Sequence, residues 1–406
     1  MKNVLVAQSG GPSVAINATL AGVFERAATS ADVGDVLGAL YGIKGVINDE
    51  IINVSEKLSD PNMIKQLIHT PSSALGSCRL KLGTPGEDEE TFKTIFETLR
   101  KRNIGWFIYI GGNDSMDTVQ KLTNYAKEKN ITDISIMGAP KTIDNDLCGM
   151  DHSPGFGSAA KYIYTTFSEI WCDCKVYDVP AVILVEVMGR HTGWLTASSA
   201  LTSLQCEAPH LIYLPEVPFD DMQFIEDVHE KLKESPAVLI AVSEGIKYAD
   251  GSFVGEFEQS GVMDVFGHKY LSGAARSLEA LVRSKIGCKV RAIELSLMQR
   301  CAGHLASSND LTEAKLLGVT ALDRALHGIS GEVSVVNRIS NSPYRVTYGT
   351  LPVSEIANRE KHIPREWINK RGNYVTQEMI TYLTPLIEGD FGVKTHHGVP
   401  VYIELH

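Results

Sequence analysis

The stretch "GWFIYIGGNDSMDTVQKLTNYAKEKN", residues 105–130, decides how this chain folds. Its first six residues read as a strand with apolar cover on both faces, rich in aromatic and β-branched side chains. From Ser115 onward apolar residues recur every three or four positions, which is the period of an amphipathic helix. Ser115 is the expected N-cap, and the lysines at the far end suit the negative pole of the helix dipole. Strand, glycine turn and helix, in that order, make the repeating unit of a parallel α/β sheet. Gly111 and Gly112 let the backbone come close to a small anion at the helix start. Asp114 puts a carboxylate in the floor of that same turn, where a phosphate cradle has no use for one.

The unit recurs along the chain. Strand-like runs at "NVLVAQ" (3–8), "DISIMGAP" (133–140), "PAVILVEVMG" (180–189) and "AVLIAVSEG" (237–245) alternate with helical stretches such as "AINATLAGVFERAA" (15–28) and "TFKTIFETLRKRN" (91–103). This pattern predicts a doubly wound α/β protein with a mainly parallel sheet. With 406 residues the chain is long for one domain and comfortable for two, each with a sizeable core. Its 44% hydrophobic and 21% charged residues describe an ordinary globular protein. No apolar run reaches the roughly 18 residues of a membrane span. "MKNVLVAQSGG" reads as a first strand and not as a signal peptide, so a cytoplasmic location is expected.

A net charge of −11 disfavours nonspecific contact with nucleic acid or an anionic membrane, so neither partner is expected. Seven cysteines are scattered without a second pair to complement Cys172 and Cys174 at zinc-site spacing, which favours reduced structural thiols. Residues 340–375, "SNSPYRVTYGTLPVSEIANREKHIPREWINKRGNYV", are richer in proline, asparagine and charge than their surroundings. They read as an added element without an assignable role.

Four strand-to-turn junctions carry residues suited to chemistry: "QSGGPSVAIN" (8–17), "YIGGNDSMDT" (109–118), "APKTIDNDL" (139–147) and "EVMGRHTGW" (186–194). Ligands of open α/β sheets gather beyond the carboxyl ends of the strands. Gly10–Gly11 and Gly111–Gly112 fit anion-binding turns, although either pair alone is equally at home in a tight βα connection. Neither G-x-G-x-x-G nor the Walker pattern is present, which disfavours nicotinamide and P-loop chemistry. Asp144 and Asp146 alternate along an extended turn, so one can face a hydroxyl and the other a cation. A solvated Asx-rich turn explains the same residues. Arg190 offers a planar fork for a sugar phosphate, and Glu244 ends another apolar strand where it can accept from sugar hydroxyls.

Taken together, "GGxxS", "PKTIDND", "EVMGR" and the glutamate of "SEG" resemble the phosphofructokinase family over residues 1 to about 310. The resemblance implies two Rossmann-like three-layer α/β domains with mainly parallel sheets and an active site in the cleft between them. It implies that residues 1–157 with about 298–375 form the larger, donor-phosphate domain, and 158–297 with about 376–406 the smaller, sugar-phosphate domain. It further implies Mg²⁺-assisted phosphorylation of the 1-hydroxyl of fructose 6-phosphate in a homodimer or homotetramer, because some family arginines reach the site from a neighbouring subunit.

Carried over by motif, Asp144 is similar to the family's catalytic base, with Thr142 beside it, and Arg79 of "LGSCRL" to the arginine on the transferring phosphoryl group. Met188, Gly189, Arg190 and Glu244 resemble sugar-binding sequence, while Arg291 of "KVRAIE" and Arg300 of "LMQR" resemble arginines that grip the 6-phosphate. Gly10, Gly11, Gly111, Gly112 and Ser115 fall in the donor turns.

ATP-using members read "GGDGS" and "PGTIDND", against "GGNDS" and "PKTIDND" here. Asp114 therefore stands where a nucleotide's α-phosphate would rest and repels it, and Lys141 supplies a cation where a shorter donor ends. This resembles the pyrophosphate-dependent branch, with Asp114 expected to hold Lys141 in position. Asn113 replaces an aspartate associated with magnesium, which leaves Asn113, Asp114 and Asp146 as the candidates for the metal. Leu297 stands at the position of a sugar-binding histidine, and Ala181 at that of a cross-subunit arginine. His152, His191 and His304 are not expected to take part in chemistry. The competing readings are an ATP-dependent enzyme, a sedoheptulose 7-phosphate kinase, a dinucleotide oxidoreductase and a sugar-phosphate sensor without activity.

Overall fold

A computed structural model describes residues 1–176, 178–255 and 273–406. It has two sheets. The larger contains β1 (Lys2–Gln8), β2 (Val33–Ala39), β3 (Ile51–Asn53), β4 (Ile104–Gly111) and β5 (Ser135–Pro140). The smaller contains β6 (Ala181–Val187), β7 (Leu211–Tyr213), β8 (Ala237–Ser243) and β9 (Lys289–Glu294). A late hairpin, β10 (Glu332–Asn341) and β11 (Tyr344–Pro352), returns to the larger sheet and gives the order β11-β10-β5-β4-β1-β2-β3. All of its pairings are parallel except those of β2 with β3 and of β10 with β11. The smaller sheet, ordered β7-β8-β6-β9, is parallel throughout.

The near-continuous apolar runs have a direct cause. In β1, Val4 and Val6 enter one core with the helix Ile16–Ala28, while Leu5 and Ala7 enter a second core with the helices Glu89–Lys101 and Asn113–Glu128. In β6, Ile183, Val185 and Val187 serve one core and Val182 and Leu184 another. A strand covered on both faces has no polar side to present, so the two-residue alternation disappears. Truncating a fully buried ring such as Phe107 to alanine is expected to cost about 3–5 kcal/mol. The architecture is two Rossmann-like α/β layers-of-three with mainly parallel sheets and a cleft between them.

The chain leaves β1 towards β2 on one side and returns through β4 on the other, so β1 and β4 flank the point where strand order reverses. The turns after β1, β4 and β5 open there, facing those after β6 and β8. The helix after β4 starts at Asn113, with Gly112 as its N-cap, three residues before the Ser115 cap that the sequence pattern suggests. Ser115 is therefore buried in the first turn and does not cap it. Gly112 has no side chain to cap with, so the first helical N–H groups stay available to a ligand.

Residues 340–375, unassigned from sequence, form the hairpin edge of the larger sheet and then a strap along one end of the cleft. All seven cysteines are unpaired, and among the described residues no helix is long and apolar enough to cross a membrane.

Candidate active site

The five turns enclose a cavity of about 710 Å³, within the size range of small-molecule sites. On the larger sheet's side, Gly10 adopts the left-handed conformation at φ 78°, and a Cβ there would sit 3.3 Å from the ammonium of Lys141. A side chain at this position would be strained and would press on that ammonium, so glycine is required. The loop carrying Arg79 docks on the same turn, with Ser77 Oγ donating to the Gly10 carbonyl at 2.6 Å.

Lys141 is almost completely buried and donates to the Gly11 carbonyl at 2.6 Å. Burial pulls its ammonium down to about 8; Asp144 and Asp146 oppose the shift, while Arg300 and Arg79 add to it. The sequence suggested that Asp114 holds Lys141. Instead Asp114 is exposed, with no ion-pair partner for its carboxylate among the described residues, and the Gly11 carbonyl takes that role.

After β5 the turn reads Thr142, Ile143, Asp144, Asn145, Asp146. Asn145 occupies the left-handed region at φ 54°, which asparagine tolerates better than most residues. Its buried amide donates to Tyr382 Oη at 3.0 Å and accepts from Ser153 N at 3.0 Å and Lys361 Nζ at 3.2 Å. The middle residue of "DND" is thus the pivot that aims the two acids, a role the sequence reading overlooked although asparagine between two aspartates is a turn signal. Asp144 accepts from Thr142 Oγ1 at 3.3 Å. Burial raises the Asp144 carboxyl, against the pull of Thr142, Lys141, His191 and Arg190. Asp146 is pushed up to about 7 by burial and then by the charge of Asp144.

Across the cleft, Gly189 donates to Glu244 Oε1 at 3.3 Å, and Ser243 Oγ donates to the Gly189 carbonyl at 2.6 Å. Burial pushes Glu244 up to about 7, with Asp144 and Glu186 acting in the same direction. Thr192 Oγ1 donates to the Asp144 carbonyl at 3.2 Å, tying this wall to the turn of the two acids. Arg190 Nε is buried without a hydrogen-bond partner among the described residues, a charge-assisted donor open to an acceptor. Arg300 joins the cavity beside Gly11, and its chain neighbour Gln299 accepts from Met188 N through Oε1 at 3.2 Å.

The cavity thus gathers Gly10, Gly11, Gly112, Asp114, Ser115, Lys141, Thr142, Asp144 and Asp146 with Arg79, Met188, Arg190, Glu244 and Arg300. Gly111 lies beneath it, where a Cβ would fall 2.0 Å from Ser115 Oγ. Gly189 backs the wall through its bonds to Glu244 and Ser243 without lining the cavity, and the residue that lies apart from it is Arg291. It is exposed on β9 and outside this chain's own cleft, so the sequence expectation is corrected for a single subunit. Leu297 is also outside the cavity and 55% exposed.

The sequence profile described as Phosphofructokinase matches residues 3–325. The chain belongs to the phosphofructokinase family. It is 38% identical to the pyrophosphate–fructose 6-phosphate 1-phosphotransferase of Halomonas elongata, over 99% of this chain and 96% of that one. The enzyme of the same name from Xanthomonas campestris is likewise 38% identical, with the same coverage. A crystal structure of a pyrophosphate-dependent phosphofructokinase from Marinobacter aquaeolei superimposes with a TM-score of 0.88 at 35% identity, covering 99% of this chain and 95% of its own.

In this chain the strap adds Asn358, Glu360 and His362 to the cavity wall, none of them anticipated from sequence. Glu360 lies 3.5 Å from His191 Nδ1 and 3.8 Å from His362 Nε2. His152 is structural: it is buried between Asp151, at 2.8 Å, and Glu313. Burial alone would lower its pKa, but those two acids hold it above the ordinary value. His304 is exposed outside the cavity.

Enzymes of this family work with a divalent metal, and the donor set fits one. The charge of Asp144 raises the affinity of Asp146 for protons, and a cation beside the two acids would relieve that crowding. Asn113, expected beside the metal, has its amide engaged at both ends by the strap: Nδ2 donates to the Arg359 carbonyl at 2.7 Å and Oδ1 accepts from Asn358 N at 2.6 Å. Among the described residues no three acidic, histidine or cysteine side chains form a closed metal cage.

Proposed function

We propose that this enzyme transfers a phosphoryl group from pyrophosphate to the 1-hydroxyl of D-fructose 6-phosphate, reversibly, giving fructose 1,6-bisphosphate and phosphate. The observation that carries this reading is the buried Lys141, a cation in the cleft floor beside the Asp144 turn whose ammonium is held by the Gly11 carbonyl. An ammonium that burial destabilises this strongly gains most from a compact, highly charged donor at the Gly10–Gly11 and Gly112 turns. The names of the relatives support the same donor and acceptor.

In this reading Asp144 takes the proton of the sugar hydroxyl, and its raised pKa suits a base working near neutrality. Thr142 fixes its orientation. Lys141 and Arg79 carry the charge that builds on the transferred and leaving phosphates. Arg190 and Arg300 hold the 6-phosphate, and Glu244 the sugar hydroxyls. Mg²⁺ is the proposed metal, held by Asp146 with Asp144 nearby, and it supplies charge neutralisation on the donor. Residues 1–157 with about 298–375 bind the donor, and 158–297 with about 376–406 the sugar. Arg291 completes the sugar site from a second subunit of a cytoplasmic homodimer or homotetramer.

The test is a donor comparison. Purified enzyme with fructose 6-phosphate and Mg²⁺ is assayed with pyrophosphate and with ATP. Turnover with pyrophosphate alone is expected. Turnover with ATP alone would overturn the assignment of Lys141, and sedoheptulose 7-phosphate in place of the hexose tests the acceptor.

A further inference from the structure

The strap crosses the cleft end as a brace with anchors in both halves of the molecule. At one end Asn113, in the first turn of the helix after β4, makes its two bonds to Asn358 and Arg359. Asn358 adds a bond from Nδ2 to Asp117 Oδ1 at 3.0 Å. In the middle, Glu360 pairs in bridge register with Leu147, and Lys361 N donates to the Asp146 carbonyl at 2.7 Å. At the far end Trp194 Nε1 donates to the Lys361 carbonyl at 2.8 Å, and Ile363 N to Glu216 Oε1 at 3.4 Å. The Lys361 side chain turns inward beneath the catalytic turn, where its ammonium donates to the Asp151 carbonyl at 2.7 Å and to Asn145 Oδ1 at 3.2 Å.

Two features say that this is a built element. The Asn113 site needs one donor and one acceptor on the same short side chain, facing a carbonyl and an N–H. Only an amide supplies both; an aspartate would set a carboxylate oxygen against the Arg359 carbonyl. Lys361 is an enclosed cation whose hydrogen-bond partners are two oxygens of the loop behind the acids and the pivot amide itself. Its chemistry is spent on the shape of the Asp144–Asn145–Asp146 turn.

We propose that Asn113 and Lys361 are positioning residues that anchor the strap 358–363 as a brace, which fixes the Asp146 side of the catalytic turn and forms the end wall of the donor subsite. The inference rests on the pyrophosphate reading for its kinetic consequence only. Asn113 acts through the strap, and its amide binds neither metal nor donor.

Asn113→Ala removes both bonds without adding charge, and Asn113→Asp also adds repulsion. Hydrogen–deuterium exchange on the ligand-free enzyme reads the brace directly, whatever the donor. Peptides covering 356–363 and 142–147 are expected to exchange faster in Asn113→Ala and faster still in Asn113→Asp. The KM for pyrophosphate is expected to rise about tenfold in Asn113→Ala, as for two lost hydrogen bonds. The KM for fructose 6-phosphate stays within about threefold and the melting temperature is unchanged, as for a site half open to solvent. Lys361→Met, if it folds, extends the faster exchange further into 142–147. Unchanged exchange together with an unchanged KM in Asn113→Ala overturns the proposal. So does an Asn113→Asp enzyme that saturates at lower Mg²⁺, since that would place residue 113 beside the metal. If wild type used only ATP, the donor reading would fall while the exchange result still judged the brace.

Discussion

The two walls of the cleft use charge in opposite ways. The wall of the larger sheet is backbone and cation: glycine turns, an uncapped helix start, and one ammonium too buried for water to solvate. The wall of the smaller sheet is carboxylate and guanidinium, with Glu244 bonded to Gly189 and Arg190 holding an unpaired Nε. The first suits a ligand that is all charge and little shape. The second suits one with hydroxyls and a single phosphate at a distance. Asp144 and Asp146 sit along the line between the walls, where the charge of Asp144 crowds that of Asp146.

The largest effect should come from that line. Asp144→Asn keeps the shape and the Thr142 contact but cannot take a proton, and kcat is expected to fall by about 10²- to 10⁴-fold. Both KM values should change little, because the turn is held by Asn145 and not by Asp144. Steady-state kinetics checks this, and a loss below about tenfold would detach the chemistry from this turn. Next comes Lys141→Met, expected to lower kcat/KM for pyrophosphate by about 10²- to 10³-fold, as for removal of one group that stabilises developing charge. The KM for fructose 6-phosphate should stay near wild type. An equal loss on both substrates would erase the distinction between the walls.

How much of this contrast was written in the sequence depends on whether a feature is local. The strand–glycine–helix units, the acids of "TIDND" and the arginine of "MGR" are set by a few consecutive residues, and all of them reach the cavity as expected. The brace was not legible, because Asn113 and Asn358 meet across 245 positions. Nothing in "ANREKH" announces a partner. Arg291 shows the same limit in reverse: its motif is local, but β9 leaves it exposed and away from the cavity of its own chain. Lys141 itself was visible, whereas its partner was not. Side-chain chemistry suggested Asp114, and the backbone carbonyl of Gly11 carries no sequence signature.

The pH profile tests whether the opposed walls titrate separately. Asp146 and Glu244 rest at about 7 in the free enzyme and are needed as carboxylates, so kcat/KM should fall as protons are added below that value. Lys141 rests at about 8 and is needed as an ammonium, so kcat/KM should fall as its proton is lost above that value. The expected curve is a bell with a narrow top between the two limbs. In Lys141→Arg the cation cannot be deprotonated in this range, so the alkaline limb should disappear while the acid limb stays. At about one unit above the limb the difference in pH dependence amounts to roughly tenfold. An alkaline limb that survives the arginine would assign it to another group.

The smallest expected effect is the most pointed. Asp114→Gly removes the acid that the sequence places under Lys141, yet in the structure its carboxylate is exposed and the lysine is held by Gly11. Two roles are therefore separable. If Asp114 acts only by repelling a longer donor, its removal should leave kcat/KM for pyrophosphate within about threefold of wild type, as for an exposed, unpartnered side chain. The affinity for a nucleotide, measured by displacement of pyrophosphate, should rise while turnover with ATP stays low, because Lys141 and the strap still shape the donor end. A loss of pyrophosphate activity comparable to that of Lys141→Met would mean that the acid and the lysine work as a pair. The donor wall would then rely on a side-chain contact made only when the donor is bound.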